Sequence, residues 1–461
     1  MISIDILGFS YEYLSPDNFA LPEAYVLDGI FAPQRQQFKA MVVGADEILT
    51  GLGVRKLSEY AIAGLPIIFH GGLPSKFHGY DPDGYASANK TISRLTSLRN
   101  VHVTLSGAGL ADTLAKLKVT PRTAVIGNGA WYTTWRSNSS TDYVYVFNAD
   151  QSFSSGSISF ETTGIPYTYN AWTGEITPVL IYEQSSTHTT IPLQLAGSQT
   201  TIFAFTNPGG GDKRLYIQTD SIPVSILDVR PGSFSNALSI LLTADSTSPM
   251  KLQLSTGKST TLSPMQGLTP AFHLSNWSLI IESWTSPSDP FDLNPVAARS
   301  NLTAISHIET LVPWNQLSSS LENISGRGYY STSFVWPPRA RSLNTPQNVI
   351  FGPSPPTSNL GAFLDLGKIF HTVRVSVNGH VLPALDVTWA RADISSYLQY
   401  GINTVEVVVT TPLGNALRAI WDIVENSGKF AHIQLGPPDV ASYGLVGSVT
   451  VIPYEVVDVT G

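Results

Sequence analysis

The chain has 461 residues, 43% hydrophobic and 13% charged, with a formal net charge of −8 and no cysteine. Its length suits roughly two to four domains, and low charge with many aromatics fits a packed, β-rich protein rather than a disordered one. That composition leaves no electrostatic footprint for nucleic acid or an anionic membrane, no run of about 18 apolar residues to span a bilayer, and no disulfide, thiolate metal site or cysteine nucleophile.

The first residues, Met1-Ile2-Ser3-Ile4-Asp5, have neither a basic nor an apolar leader region and do not read as a signal peptide. Up to about residue 125, short continuous apolar runs (Ala40 to Val43, Ile67 to Phe69, Val101 to Leu105) read as parallel strands covered on both faces. Helical spacing follows each of them: Val54, Leu57 and Ala61; Ile92, Leu95 and Leu98; Leu110, Leu114 and Leu117. Gly64 and Pro66 stop the first helix where the next strand begins. Alternating elements of this kind predict an open parallel α/β sheet over 1–125, of flavodoxin-like or amidotransferase-like size. His70-Gly71-Gly72 follows a strand, where ligands of such sheets bind; a small polar site with His78 and a turn that satisfies one histidine both fit, the turn more simply.

From 126 to 208 the period becomes two. Tyr143 to Phe147, Ser157 to Glu161, Glu175 to Leu180, Thr189 to Leu195 and Thr200 to Phe205 read as strands of a β-sandwich, separated by Gly, Pro, Asn and Ser turns. Pro208-Gly209-Gly210-Gly211-Asp212-Lys213 reads as a flexible break, and its lysine lacks the Ser or Thr of a phosphate loop. A second strand set from Leu215 to about Trp284, then a Pro-, Ser- and Asp-rich linker over Thr285 to Asn294, fill 209–300. In 301–461, Val373, Val375 and Val377 alternate with Arg374 and Ser376, Asn378-Gly379 suits a tight hairpin, and the β-branched run Val405 to Thr410 suits a central strand. The prediction is a mainly β chain with an amino-terminal α/β domain, then β-sandwich layers and a carboxy-terminal antiparallel sandwich.

Catalytic and metal motifs are missing. There is no G-x-S-x-G elbow, G-x-G-x-x-G fingerprint, Walker loop or H-E-x-x-H spacing. Asp81-Pro82-Asp83-Gly84 has the start of a calcium loop without its later ligands and reads as a turn. Glu161, Glu175, Glu282, Asp365, Asp386 and Asp393 are candidate carboxylates for glycoside chemistry, but linear sequence does not pair them. Sequons at Asn89, Asn138, Asn276, Asn301 and Asn323 are close to the roughly four that chance supplies in a Ser/Thr-rich chain.

One resemblance runs along nearly the whole chain. Leu364-Asp365-Leu366-Gly367, Val375-Ser376-Val377-Asn378-Gly379, Asp393-Ile394-Ser395 with Tyr397-Leu398, Gly401 and Asn403, and the valine-rich strand after them resemble a galactose-binding-like, jelly-roll domain of glycosidases. The likeness is to the carboxy-terminal part of the α-L-rhamnosidase-like proteins of glycoside hydrolase family 106. Leu311-Val312-Pro313-Trp314 and Ile324 to Thr332 resemble the entry to that domain, and Tyr443 to Val449 its closing strand. Trp172-Thr173-Gly174-Glu175 resembles a hairpin of the sandwiches that follow glycosidase barrels. Leu21 to Ala24, Phe38 to Ala40 and Ala63 to Pro66 resemble the family's accessory α/β domain.

The resemblance implies an accessory and carbohydrate-binding portion of a secreted α-L-rhamnosidase-like hydrolase, with the catalytic carboxylates on a preceding barrel that these residues lack. It implies an extracellular location, a plant or microbial rhamnose-containing glycan as partner, no cofactor, and a structural calcium of the kind such sandwiches often hold, which the sequence does not place. A stand-alone carbohydrate-binding or structural protein is the alternative. Pyranose C–H faces lie on aromatic rings while polar side chains fix hydroxyls. In the last domain Trp389, Trp421, Asn378, His380, Arg391 and Asn415 lie in or beside predicted loops and are the candidate sugar contacts.

Overall fold

A computed structural model describes residues 8–79, 82–206, 214–234, 236–245, 247–265, 267–285, 298–338, 352–353, 359–426 and 436–461. The glycine-rich break, most of the expected linker and Asp81 lie outside these residues. The chain is mainly β and divides into two compact units, Met1–Tyr167 with Gln184–Gly210 and Thr168–Glu183 with Gly211–Gly461.

In the first unit β1 (Met41–Gly44), β2 (Ile67–His70) and β3 (Val101–Thr104) form a parallel sheet in that order. Helices α1 (Gly51–Ile62), α2 (Pro82–Leu95) and α3 (Gly107–Lys116) follow them in turn. Thr50 caps α1 by accepting from Gly53 N at 3.0 Å. Gly64, at φ 93°, turns the chain after it. Alternation along β2 sends Ile67 and Phe69 into a core with Leu57, Tyr60 and Ile92, and Ile68 to Leu110 and Leu114 of α3. Burial of each such side chain stabilises by about 2–3 kcal/mol. His70 Nδ1 lies 3.1 Å from Thr104 Oγ1, and Gly71 and Gly72 have positive φ, so these residues form a turn that satisfies one histidine.

Ile48–Leu49 and Lys76–Phe77 add a short parallel pair, and the strands after residue 122 are antiparallel. β4 (Thr123–Gly127) and β8 (Thr189–Leu195) flank β7 (Ser154–Phe160), while β5 (Trp131–Ser137) and β9 (Thr200–Thr206) flank β6 (Thr141–Asn148). Rings from both sheets meet between them: Trp135 lies 6.2 Å from Phe160, and Phe160 lies 5.0 Å from Phe205.

The second unit holds two larger sheets. One has the order β10 (Ile226–Pro231), β11 (Ala237–Leu242), β19 (Thr450–Thr460), β15 (Leu360–Asp365), β17 (Arg391–Asp393). The other runs β13 (Ala298–Ile308), β12 (Trp277–Thr285), β14 (Gly326–Trp336), β18 (Gln399–Thr410), β16 (Thr372–Val377). Ala362, Leu364 and Val451 of the first share a core with Leu279, Tyr330, Val375 and Val407 of the second. Leu238, Ile240 and Leu242 close a smaller core with Leu215, Ile217 and Leu254. Strands from both sides of residue 300 share both sheets, so the sheets cross the boundary that composition suggested there. Trp314 Nε1 donates to Tyr330 Oη at 2.7 Å inside the larger core, and burial pushes the Tyr330 phenol up to about 12.

Candidate functional site

Alternation along β15 buries Ala362 and Leu364 and turns Phe363 and Asp365 to the opposite face. Register sets Asp393 beside Phe363, Arg391 beside Asp365 and Tyr454 beside Gly361. A Cβ on Gly361 would lie 2.4 Å from Ser395 Oγ and from Tyr454 Oη, so only glycine admits this approach. On β10, a register shift between Ile226 and Asp228 precedes Asp228 and Arg230.

These residues form one polar network. Asp393 Oδ2 accepts from Arg230 Nη1 at 2.8 Å and from Tyr454 Oη at 2.9 Å. Its Oδ1 accepts from Ser395 N at 2.9 Å and from Ser395 Oγ. Arg230 Nε donates to Asp228 Oδ2 at 2.9 Å. Burial opposes the charge on Arg230, but Asp228 and Asp393 outweigh it and hold the guanidinium above its ordinary pKa. The Tyr454 phenol is pushed up to about 12, first by burial and further by Asp393.

An aromatic rim adjoins the network. Arg391 Cζ lies 4.9 Å from the centroid of Phe363 and 5.8 Å from that of the half-buried Trp389. Trp389 Nε1 donates to Asp365 Oδ2 at 3.4 Å, and Asp365 Oδ1 accepts from Gly367 N at 2.9 Å. Arg391 Nε is buried without a hydrogen-bond partner, an unused donor beside the tryptophan. Burial lowers the Arg391 pKa, against the opposing pull of Asp365 and Asp228.

Glycoside hydrolysis needs two carboxyl groups with open space for substrate between them. Asp393 instead receives four donors and Asp228 is paired, so this arrangement has groups suited to holding a ligand and lacks a free general base. Among the described residues no three His, Asp or Glu side chains group as a metal cage, so no step is assigned to calcium.

The six sequence candidates fall into three groups. Trp389 and Arg391 are in contact at the rim. Asn378 and His380 share Tyr397: Asn378 Nδ2 donates to Tyr397 O and to Asn403 Oδ1, both at 2.8 Å, while the His380 ring stacks 5.7 Å from Tyr397. Thr404 N donates to Asn378 Oδ1 at 2.9 Å, so the Asn378 amide holds the turn with both ends. Asn415 and Trp421 belong to a helical segment, α4 (Gly414–Ala419) and α5 (Trp421–Asn426). Asn415 is 1% exposed and exchanges two 2.9 Å bonds with the Ala441 backbone, so its amide braces that loop. Trp421 is half-buried and borders an open depression of about 440 Å³ with Arg418, Asp422 and Glu425.

The sequence did not single out Asp228, Arg230 or Tyr454; Asp393 stood there as one of six unpaired candidate carboxylates, and Ser395 only as part of the resemblance motif. The Asp-Val-Arg spacing on a strand, which puts opposite charges on one face, is the signal that was there to use.

No family model and no curated protein matches the sequence. Among solved structures, a rhamnosidase from Novosphingobium sp. PP1Y matches with a TM-score of 0.53 at 18% identity, covering 96% of this chain and 36% of that one. An exo-carrageenase from Bacteroides ovatus matches at TM-score 0.23 and 13% identity over 44% of this chain and 26% of its own. A β-glucuronidase from Faecalibacterium prausnitzii matches at TM-score 0.22 and 14% identity, over 42% and 33%. This chain spans about a third of the rhamnosidase's length and has the fold of that part of a rhamnosidase-like glycoside hydrolase.

Proposed function

We propose that these residues are the non-catalytic accessory and carbohydrate-binding portion of a secreted α-L-rhamnosidase-like glycoside hydrolase. The observation that carries the reading is the fold likeness, which takes in 96% of this chain but only 36% of the rhamnosidase. Among the described residues the parallel strands number three in one sheet and two in another, far from the eight of a catalytic barrel. On this reading the α/β part is an amidotransferase-like accessory domain without its cysteine, and the two larger sheets of the second unit include a galactose-binding-like jelly roll. Catalysis belongs to a barrel elsewhere in the full-length protein, and the Trp389–Arg391 rim contacts a rhamnose-containing glycan outside the cell.

Aromatic stacking and a few solvent-competing hydrogen bonds supply little net free energy, so binding is weak, around millimolar. The purified chain should release no rhamnose from an aryl α-L-rhamnoside above the blank rate. Turnover that disappears when one carboxylate of this chain is changed, for example in Asp393→Asn, overturns the proposal.

A further inference from the structure

We infer that the outer face of the β12–β14–β18–β16 sheet is a second carbohydrate-binding surface, shaped for an uncharged glycan chain; the inference rests on the carbohydrate reading above. Leu279, Ile281, Tyr330, Val375 and Val407 point into the core, so alternation turns their strand neighbours outward. Register sets Ile280, Tyr329, Val408 and Arg374 side by side in one row across four strands. Ile280 is 46% and Tyr329 36% exposed, so the row is open to solvent.

One carboxylate orients two rings on this face. Tyr329 Oη donates to Glu282 Oε2 at 2.7 Å, and Trp284 Nε1 donates to Glu282 Oε1 at 3.2 Å. The Arg327 guanidinium lies 5.5 Å from the Trp284 ring centroid and restrains the indole from another side. Rings fixed before binding lose little rotamer freedom when a sugar stacks on them. Among the described residues the row lies on exposed sheet, and from Tyr329 to Arg374 it crosses two strand spacings, roughly 10 Å. A flat surface of that kind suits successive sugars of a chain better than one enclosed residue.

Charge selects the glycan. Among the described outward residues Arg327 and Arg374 are balanced by Glu282 and Glu406, so the face offers a polyanion no net attraction. The same alternation of charge with apolar groups breaks up the continuous apolar patch that a protein partner needs.

Affinity electrophoresis of the whole chain tests this, with soluble linear galactan as the neutral probe and polygalacturonate as the acidic one. Circular dichroism verifies that each variant is folded, and Tyr329→Ala removes an exposed ring without opening the core. Galactan should retard the parent chain and polygalacturonate should not. Tyr329→Ala and Arg327→Ala should each weaken galactan binding roughly tenfold, while Trp389→Ala leaves this component in place. Retardation by galactan that is unchanged in Tyr329→Ala and Arg327→Ala, or abolished by Trp389→Ala alone, overturns the second surface and leaves the carbohydrate reading standing. A parent chain that polygalacturonate retards more strongly overturns the charge argument. If neither polymer retards the parent, the second surface falls; the hydrolase reading is judged separately by the rhamnoside assay.

Discussion

Replacing Asp393 by asparagine perturbs the network at its centre. The amide keeps one acceptor oxygen but turns an N–H₂ toward groups that are themselves donors, so about half of the four contacts to the carboxylate are lost. Two lost hydrogen bonds cost about 1 kcal/mol each. The attraction to Arg230 adds only about 0.5–1 kcal/mol, because the arginine side chain is 40% exposed and solvent screens the pair. Asp393→Asn should therefore destabilise the second unit by about 2–3 kcal/mol, or lower its melting temperature by about 4–5 °C for a unit of this size. Differential scanning calorimetry of the two chains measures this. A shift below about 1 °C would show that the network is a solvated surface cluster and would refute its role in holding the second unit together.

Gly361→Ala should cost about 1–3 kcal/mol in a urea melt, because its Cβ would meet Ser395 and Tyr454 at 2.4 Å. Tyr330→Phe should cost about 2–4 kcal/mol in the same assay, since Trp314 Nε1 and Leu445 N lose their shared buried acceptor. Tyr330 and Tyr454 are both raised to about 12 from an ordinary 10, so the folded state holds their protons more tightly than the unfolded state does. Their contribution to stability is full below pH 10 and is lost between pH 10 and about 12; tyrosinate absorbance with parallel melts should show late ionisation and falling stability across that window. Asn415→Ala should cost about 1–3 kcal/mol in a urea melt without changing sugar binding, because its amide braces Ala441.

Much of the fold is legible from local pattern. Val54, Leu57 and Ala61 do lie buried on α1, and the β-branched run from Val405 to Thr410 lies in β18 with a strand on each side. Asn378 and Gly379 both have positive φ, as their hairpin requires. Those features depend on neighbours a few residues away. The Arg230–Asp393 pair depends on two strands far apart in the chain, and neither residue's local sequence encodes the other's position. The same limit explains why loop residues chosen by type, Asn378 and Asn415, prove to be braces: an asparagine that binds a ligand and one that binds backbone look alike until its partners are known. Strands on both sides of residue 300 pair within the same sheets, and a Pro- and Ser-rich composition between them does not encode which strands those are.

Recovering the native polypeptide from culture fluid of the source organism, with an antibody raised against this chain, tests the proposed function. A secreted protein well above the 49.7 kDa of these residues is expected, carrying α-L-rhamnosidase activity that precipitates with the antibody. A recovered protein of 49.7 kDa with no such activity would contradict it.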